Sequence, residues 1–162
     1  MNLNYMEEYN KWLKDPYIDP ETKQQLMDIK DDENEIIDRF YQGLPFGTAG
    51  MRGILGAGLN RMNTYVVEIT TQALAEVLIE EDESNKEKGV AIAYDCRHFS
   101  KEFAWLSACV LAGNGIRSYV FDGMRPTPEL SFTVRHLKCA SGIIITASHN
   151  PKNYNGYKLY ND

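Results

Sequence analysis

Apolar residues recur along this chain with two periods, and the alternation between them sets the expected architecture. The segment TYVVEITTQALAEVLIEE, Thr64–Glu81, carries Val66, Ile69, Ala73 and Val77 at helical spacing, which predicts a helix with one buried face. Residues 89–94 (GVAIAY) form a short apolar run suited to a buried strand. Ser100 is placed to cap a helix running through Val110 and ending near Gly113 and Gly115. Residues 117–121 read as the next strand, Pro126 and Pro128 open a helix to about Leu137, and Ser141–Ile145 is a third apolar strand. Strand, helix, strand, helix, strand implies an α/β fold, a layered helix/sheet/helix domain with a mostly parallel mixed sheet.

The first forty residues read differently, as short helices interrupted by Pro16 and Pro20. Asp31 or Asp32 can cap the helix that contains Glu35, Ile36, Ile37 and Phe40. This part reads as a packing element without chemistry, so the expected division is a helical segment over 1–42 and an α/β domain over 43–162. Between the two lies a run with six glycines from Gly43 to Gly58, a backbone that bends often or approaches something closely. Residues 82–88 read as a surface loop.

A length of 162 residues suits one domain with a small appendage, and 43% hydrophobic with 25% charged residues is a soluble globular balance. No apolar run approaches the ~20 residues needed to cross a bilayer, so no membrane is expected. The acidic, polar start MNLNYMEEYNKWLKD does not read as a signal peptide. The net charge of −6 comes from residues 1–40, with eleven acids against five bases; the remainder balances. That leaves no basic excess for nucleic acid. Cys96, Cys109 and Cys139 form no CxxC pair and no zinc spacing with His98, His136 or His149, and such sparse cysteines fit a reducing cytoplasm.

Three polar segments interrupt the scaffold: the glycine-rich loop with Arg52, YDCRHFS at 94–100, and TASHNPKNYNGYKLY at 146–160. The last two follow apolar strands, where ligands bind in open α/β sheets. In the third, Pro151 favours an extended Asn150, and 153–156 reads as a turn. From Thr146 onward, Lys152, Lys158 and His149 face a single acid, Asp162, which suits an anion such as phosphate. An ordinary turn with Ser148 as a local cap fits equally well. Ser148 is not in a G-x-S-x-G elbow, the glycines do not follow the G-x-G-x-x-G order, and there is no Walker A sequence. Asp95 and Arg97 read as partners of each other or of nearby backbone, with Cys96 and His98 as bystanders. His136 falls near a helix end, where a cation suits the dipole.

FGTAGMRG at 46–53, YDCRHFS at 94–100, PTPEL at 126–130 and TASHNPKNYNGYKLY at 146–160 together resemble the α-D-phosphohexomutase family of phosphoglucomutases and phosphomannomutases. The helical preamble and NRMN at 60–63 look most like its branch of phosphoglucomutase-2-type and phosphopentomutase enzymes. The resemblance implies four α/β domains around a cleft, of which this chain would supply the first. It implies that Ser148 carries a phosphoryl group and passes it to a sugar monophosphate. The substrate would be a glucose or mannose phosphate, or a pentose phosphate, and glucose 1,6-bisphosphate the intermediate and activator. By the same resemblance Ser148, Lys158, Arg52 and His149 are catalytic, with Lys158 a proton carrier. Gly47, Thr48, Arg52, Asn150 and Lys158 would bind substrate or phosphate. Mg²⁺ would be held by the phosphate on Ser148 and by a later D-x-D-x-D loop. Ala49 stands where many members have serine, D-x-D-x-D is absent, and the chain stops at Asp162. The expectation is therefore a cytoplasmic enzyme domain, C-terminally truncated and inactive without its remaining domains. A silent remnant that binds a phosphosugar or protein partner is the alternative, against which the retained Arg52, Ser148 and Lys158 argue.

Overall fold

The structure, a computed structural model, describes residues 4–48 and 50–160; Ala49 and Asp162 lie outside them. It contains one five-stranded sheet among those residues: β1 (Gly50–Ile54), β2 (Val90–Tyr94), β3 (Ser118–Val120), β4 (Ser141–Ile145) and β5 (Tyr154–Tyr160), in the order β1-β5-β4-β2-β3. β2 pairs in parallel with β3 and with β4, while β5 runs antiparallel to β4 and to β1. Four strands thus share one direction and β5 opposes them, so the sheet is mixed and mostly parallel as expected. The three apolar runs are β2, β3 and β4. β1 and β5 are additions, lying in the glycine-rich run and in the polar segment after β4. The turn expected at 153–156 falls earlier, closed by the Tyr154 amide on the Pro151 carbonyl at 3.0 Å.

Every residue of β2 and β4 is buried, because helices cover both faces. Val90, Ile92, Tyr94, Ile143, Ile145 and Tyr157 face the side covered by α4 (Thr64–Glu81) and α6 (Ser100–Gly113). Ala91, Ala93 and Ile144 face α7 (Thr127–Leu137), which answers with Leu130 and Val134. α4 exists as predicted, but its buried stripe is Val67, Thr71, Leu74, Ala75 and Leu78. Of the four positions expected to be buried only Val66 is; Ile69 and Val77 are 64% and 50% exposed, and Ala73 is exposed. The helix is apolar on two stripes, and the one that meets α6 wins. Residues 85–88, expected in a loop, form the one-turn helix α5 (Asn85–Lys88). Ser100 opens α6 with Phe99 at the cap position, so it does not cap the helix.

The acidic N-terminal part forms α1 (Tyr5–Lys14), α2 (Pro20–Asp28) and α3 (Glu33–Phe40), with Asp32 capping the last through the Glu35 amide. Tyr9, Trp12, Phe40 and Tyr65 meet edge to face, with centroids 5.4–5.8 Å apart. Tyr65 belongs to α4, so this cluster fastens the helical segment to the domain. No helix among the described residues is long and apolar enough to cross a membrane.

α7 lies close on the sheet because β2 and β4 present Ala91, Ala93 and Gly142 to it. A Cβ on Gly142 would sit 2.7 Å from Val134 Cγ2 and 3.3 Å from Leu130 Cδ1. Gly142→Val should therefore lower stability by about 1–3 kcal/mol through overpacking, read as a lower urea midpoint at unchanged m-value.

Candidate active site

Pairing does not stop where β4 ends. Thr146 still donates its amide to the Gly156 carbonyl at 3.0 Å, and Ala147 is fully buried. The chain then turns at Ser148, whose φ is 55°, a left-handed conformation that few non-glycine residues adopt. Such a residue costs about 1–3 kcal/mol and persists only where its surroundings impose it. Ser148 is exposed, and the Asn150 amide closes the turn on the Ala147 carbonyl at 3.1 Å.

The imposing surroundings come from the segment after β2. The Thr146 hydroxyl donates to Asp95 Oδ2 at 2.6 Å and accepts the Ser148 amide at 2.9 Å. Arg97 donates to four carbonyls of the serine loop: Ser148 at 2.8 Å, Asn150 at 2.6 Å, Pro151 at 2.8 Å and Tyr154 at 3.1 Å. Its Nε lies 3.5 Å from Asp95 Oδ2. The other oxygen, Asp95 Oδ1, accepts from the Ser100 hydroxyl at 2.7 Å and the Arg97 amide at 2.9 Å. Asn155, fully buried, donates to the His98 carbonyl at 2.8 Å and the Ser100 hydroxyl at 3.0 Å, tying β5 to the same segment.

Arg52 and Lys158 stand on the α7 side of the sheet. Lys158 lies opposite Ile144, which faces α7, and Arg52 opposite Gly156, two positions along the same face. The Arg52 side chain crosses over Gly156, where a Cβ would come within 2.9 Å of its Cγ. It then donates from Nη1 to Asn150 Oδ1 at 3.2 Å. Lys158 is half-buried and has no hydrogen-bond or ion-pair partner among the described residues. Burial first, and then the neighbouring Arg52 guanidinium, lower its pKa from the ordinary lysine value; Asp95 pulls weakly the other way.

Of the residues singled out from the sequence, Arg52 and Asn150 are joined directly, and Lys158 neighbours Arg52. Gly47 and Thr48 form the exposed turn before β1, where Gly47 and Gly50 exchange backbone hydrogen bonds at 2.8 and 3.3 Å. Since Gly50 pairs with Lys158, that turn sits at the Lys158 end of the face. His149 is exposed beside Ser148. A shallow depression of about 350 Å³ beside Ser148 is lined by Asp95, Cys96, Arg97, His98, Asn150 and Lys152, and not by Arg52 or Lys158. Asp95 and Arg97 hold the loop by pairing with each other and with nearby backbone, as expected. Thr146 and Asn155 went unassigned, although both lie inside the distinctive 146–160 segment. Among the described residues no three His, Cys, Asp or Glu side chains gather to hold a metal, and the Asp95 oxygens are already engaged by donors. These residues alone do not make a magnesium site.

Comparison with known proteins bears on the family and the fold. The family profile described as phosphoglucomutase/phosphomannomutase, alpha/beta/alpha domain I, matches residues 43–162. A phosphoglucomutase of Staphylococcus saprophyticus is 48% identical over 119 residues, which cover 74% of this chain and 21% of that protein. A mouse phosphopentomutase is 38% identical over 158 residues, covering 94% of this chain and 25% of that protein. The crystal structure of a putative phosphomannomutase from Thermus thermophilus superposes with a TM-score of 0.65 at 34% identity, over 74% of this chain and 26% of that one. The chain spans about a fifth to a quarter of the length of the curated relatives it matches.

The Lys158 environment can be read without turnover. Its ε-amine should lose its proton at lower pH than the exposed lysines in a ¹³C/¹⁵N side-chain titration. Arg52→Ala removes a cause of that lowering and should move the titration to higher pH.

Proposed function

The chain belongs to the phosphoglucomutase/phosphomannomutase family, and on that premise we propose that it is the phosphoserine-bearing domain of a phosphosugar mutase. The observation that carries this reading is Ser148 itself. It is an exposed hydroxyl on a left-handed turn whose backbone is fixed on both sides, with Arg52 tied to Asn150 two residues on. Phosphoryl transfer asks mainly for such positioning and for charge to offset the moving group.

In the proposed reaction a sugar hydroxyl oxygen attacks the phosphorus on Ser148, the new P–O bond forms and the bond to Ser148 Oγ breaks. The hydroxyl proton passes to the neutral Lys158 amine, and an equal proton returns to Oγ from the ammonium. The reverse transfer takes the other phosphate of the sugar bisphosphate back to Oγ. The lowered pKa of Lys158 supports its part, because it increases the neutral fraction available as base. Arg52 offsets charge on the phosphoryl oxygens, Asn150 holds Arg52, and His149 shapes the serine turn. Gly47 and Thr48 present backbone and hydroxyl near Lys158 for the phosphosugar. Mg²⁺ supplies further charge neutralisation when bound, with ligands other than the Ser148 phosphate coming from beyond these residues. Glucose 1,6-bisphosphate is the proposed activator, and further domains of the same enzyme complete the cleft.

Incubation of the complete enzyme with glucose 1,6-bisphosphate should place one phosphoryl group on the peptide containing Ser148, seen by mass spectrometry; label elsewhere with Ser148 clean sinks the reading. In the same enzyme Lys158→Ala should lower kcat by roughly 10²-fold or more. Arg52→Ala should remove about 2–4 kcal/mol of transition-state stabilisation.

Residues 1–162 alone should show no turnover of glucose 1-phosphate in a coupled assay with Mg²⁺ and the bisphosphate. Activity that survives repurification and disappears in Ser148→Ala contradicts that expectation.

A further inference from the structure

We propose that Asp95 is the positioning residue for Ser148, acting on both sides of the serine through Thr146 and Arg97; this rests on Ser148 being the phosphate carrier. A hydroxyl has a single proton. Thr146 gives its proton to Asp95 Oδ2 at 2.6 Å, which turns its lone pairs toward the Ser148 amide at 2.9 Å. On the other side of the same residue, Arg97 Nη2 holds the Ser148 carbonyl at 2.8 Å, and Arg97 Nε lies 3.5 Å from the same Oδ2. The groups before and after Ser148 Cα are therefore tied back to one carboxylate oxygen.

The second oxygen is anchored to the rest of the domain. Oδ1 takes the Ser100 hydroxyl at the first residue of α6 and the Arg97 amide, and the Asp95 amide donates to the Ile145 carbonyl at the end of β4, at 3.2 Å. The φ of 55° is thus imposed by β2, β4 and α6 rather than by the exposed loop. A hydroxyl that must gain and lose a phosphoryl group in every cycle is returned to one place by this arrangement. Misplacement by about 1 Å can cost a reaction ~10²-fold in rate.

The test compares Thr146→Val, which keeps the shape but removes the acceptor, with Thr146→Ser, which keeps the hydroxyl. In the complete enzyme, Thr146→Val should slow phosphorylation of Ser148 by glucose 1,6-bisphosphate ~10²-fold and leave KM within about threefold. Thr146→Ser should stay within about threefold of wild type in both. Ser148→Ala, run alongside, separates the two claims. If it keeps turnover, the carrier reading falls and this proposal with it. If it loses turnover while Thr146→Val matches wild type, the positioning role alone is overturned. Should Thr146→Val fail to fold, hydrogen exchange on the wild-type enzyme decides. The Ser148 amide should exchange at least about tenfold more slowly than in an unstructured peptide, and exchange at the peptide rate overturns the proposal.

Discussion

β5 returns antiparallel along β4, with Tyr157 opposite Ile145 and Lys158 opposite Ile144, and each part of the site hangs from that pairing. It gives β1 a partner, without which Arg52 has no strand to hold it over Gly156. It also carries Tyr157 into the core, where its hydroxyl lies 3.1 Å from Thr71, itself 3.3 Å from Ser107. Those hydroxyls come from β5, α4 and α6. A shift of β5 by one residue would send Lys158 into the core and Tyr157 out of it, so the hydrophobic pattern and this polar contact fix the same register.

The parts of the fold legible in the sequence are those where one force dominates. β2 and β4 are continuous apolar runs buried on both faces, and Pro126 and Pro128 mark the start of α7. β5 was hidden because YNGYKLY mixes Asn, Gly and Lys with aromatics, and only three of its residues, Asn155, Gly156 and Tyr157, are buried. β1 was hidden because it pairs so close to β5 that Gly50 has no room for a side chain against the Tyr157 and Lys158 backbone, and glycine reads as a turn. The face of α4 was misjudged because two apolar stripes compete there, and only the position of α6 decides between them. At the site, the motifs singled out Arg52, Asn150 and Lys158, which the structure brings close to one another. The Thr146–Asp95 hydrogen bond was not legible, because it joins residues 51 apart whose strands meet only in the sheet.

NRMN at 60–63 gains a physical meaning from the structure. Arg61, 5% exposed, pairs with Glu35 and Asp38 of α3, while Asn60 donates to the Asp38 carbonyl at 2.9 Å. Asn63 caps α4 and donates to the Gly56 and Gly58 carbonyls at 2.9 and 2.8 Å. Asn60, Arg61 and Asn63 thereby fasten α3, the glycine-rich run and α4 to one another. Part of the surplus acidity of the N-terminal segment is spent on this attachment rather than on solvent.

Arg52 and Lys158 are neighbouring cations on one face, and the repulsion between them is part of why the lysine releases its proton easily. An anion that settles beside them reverses that balance, because its field favours the charged amine. A phosphate arriving there would draw a proton from water onto Lys158, and its departure would give it back. Affinity and acidity are tied by thermodynamic reciprocity. Over the range in which Lys158 titrates, the protein would take up hydrogen ions as it fills and release them as it empties, so that buffer ionisation enters the measured heat of binding.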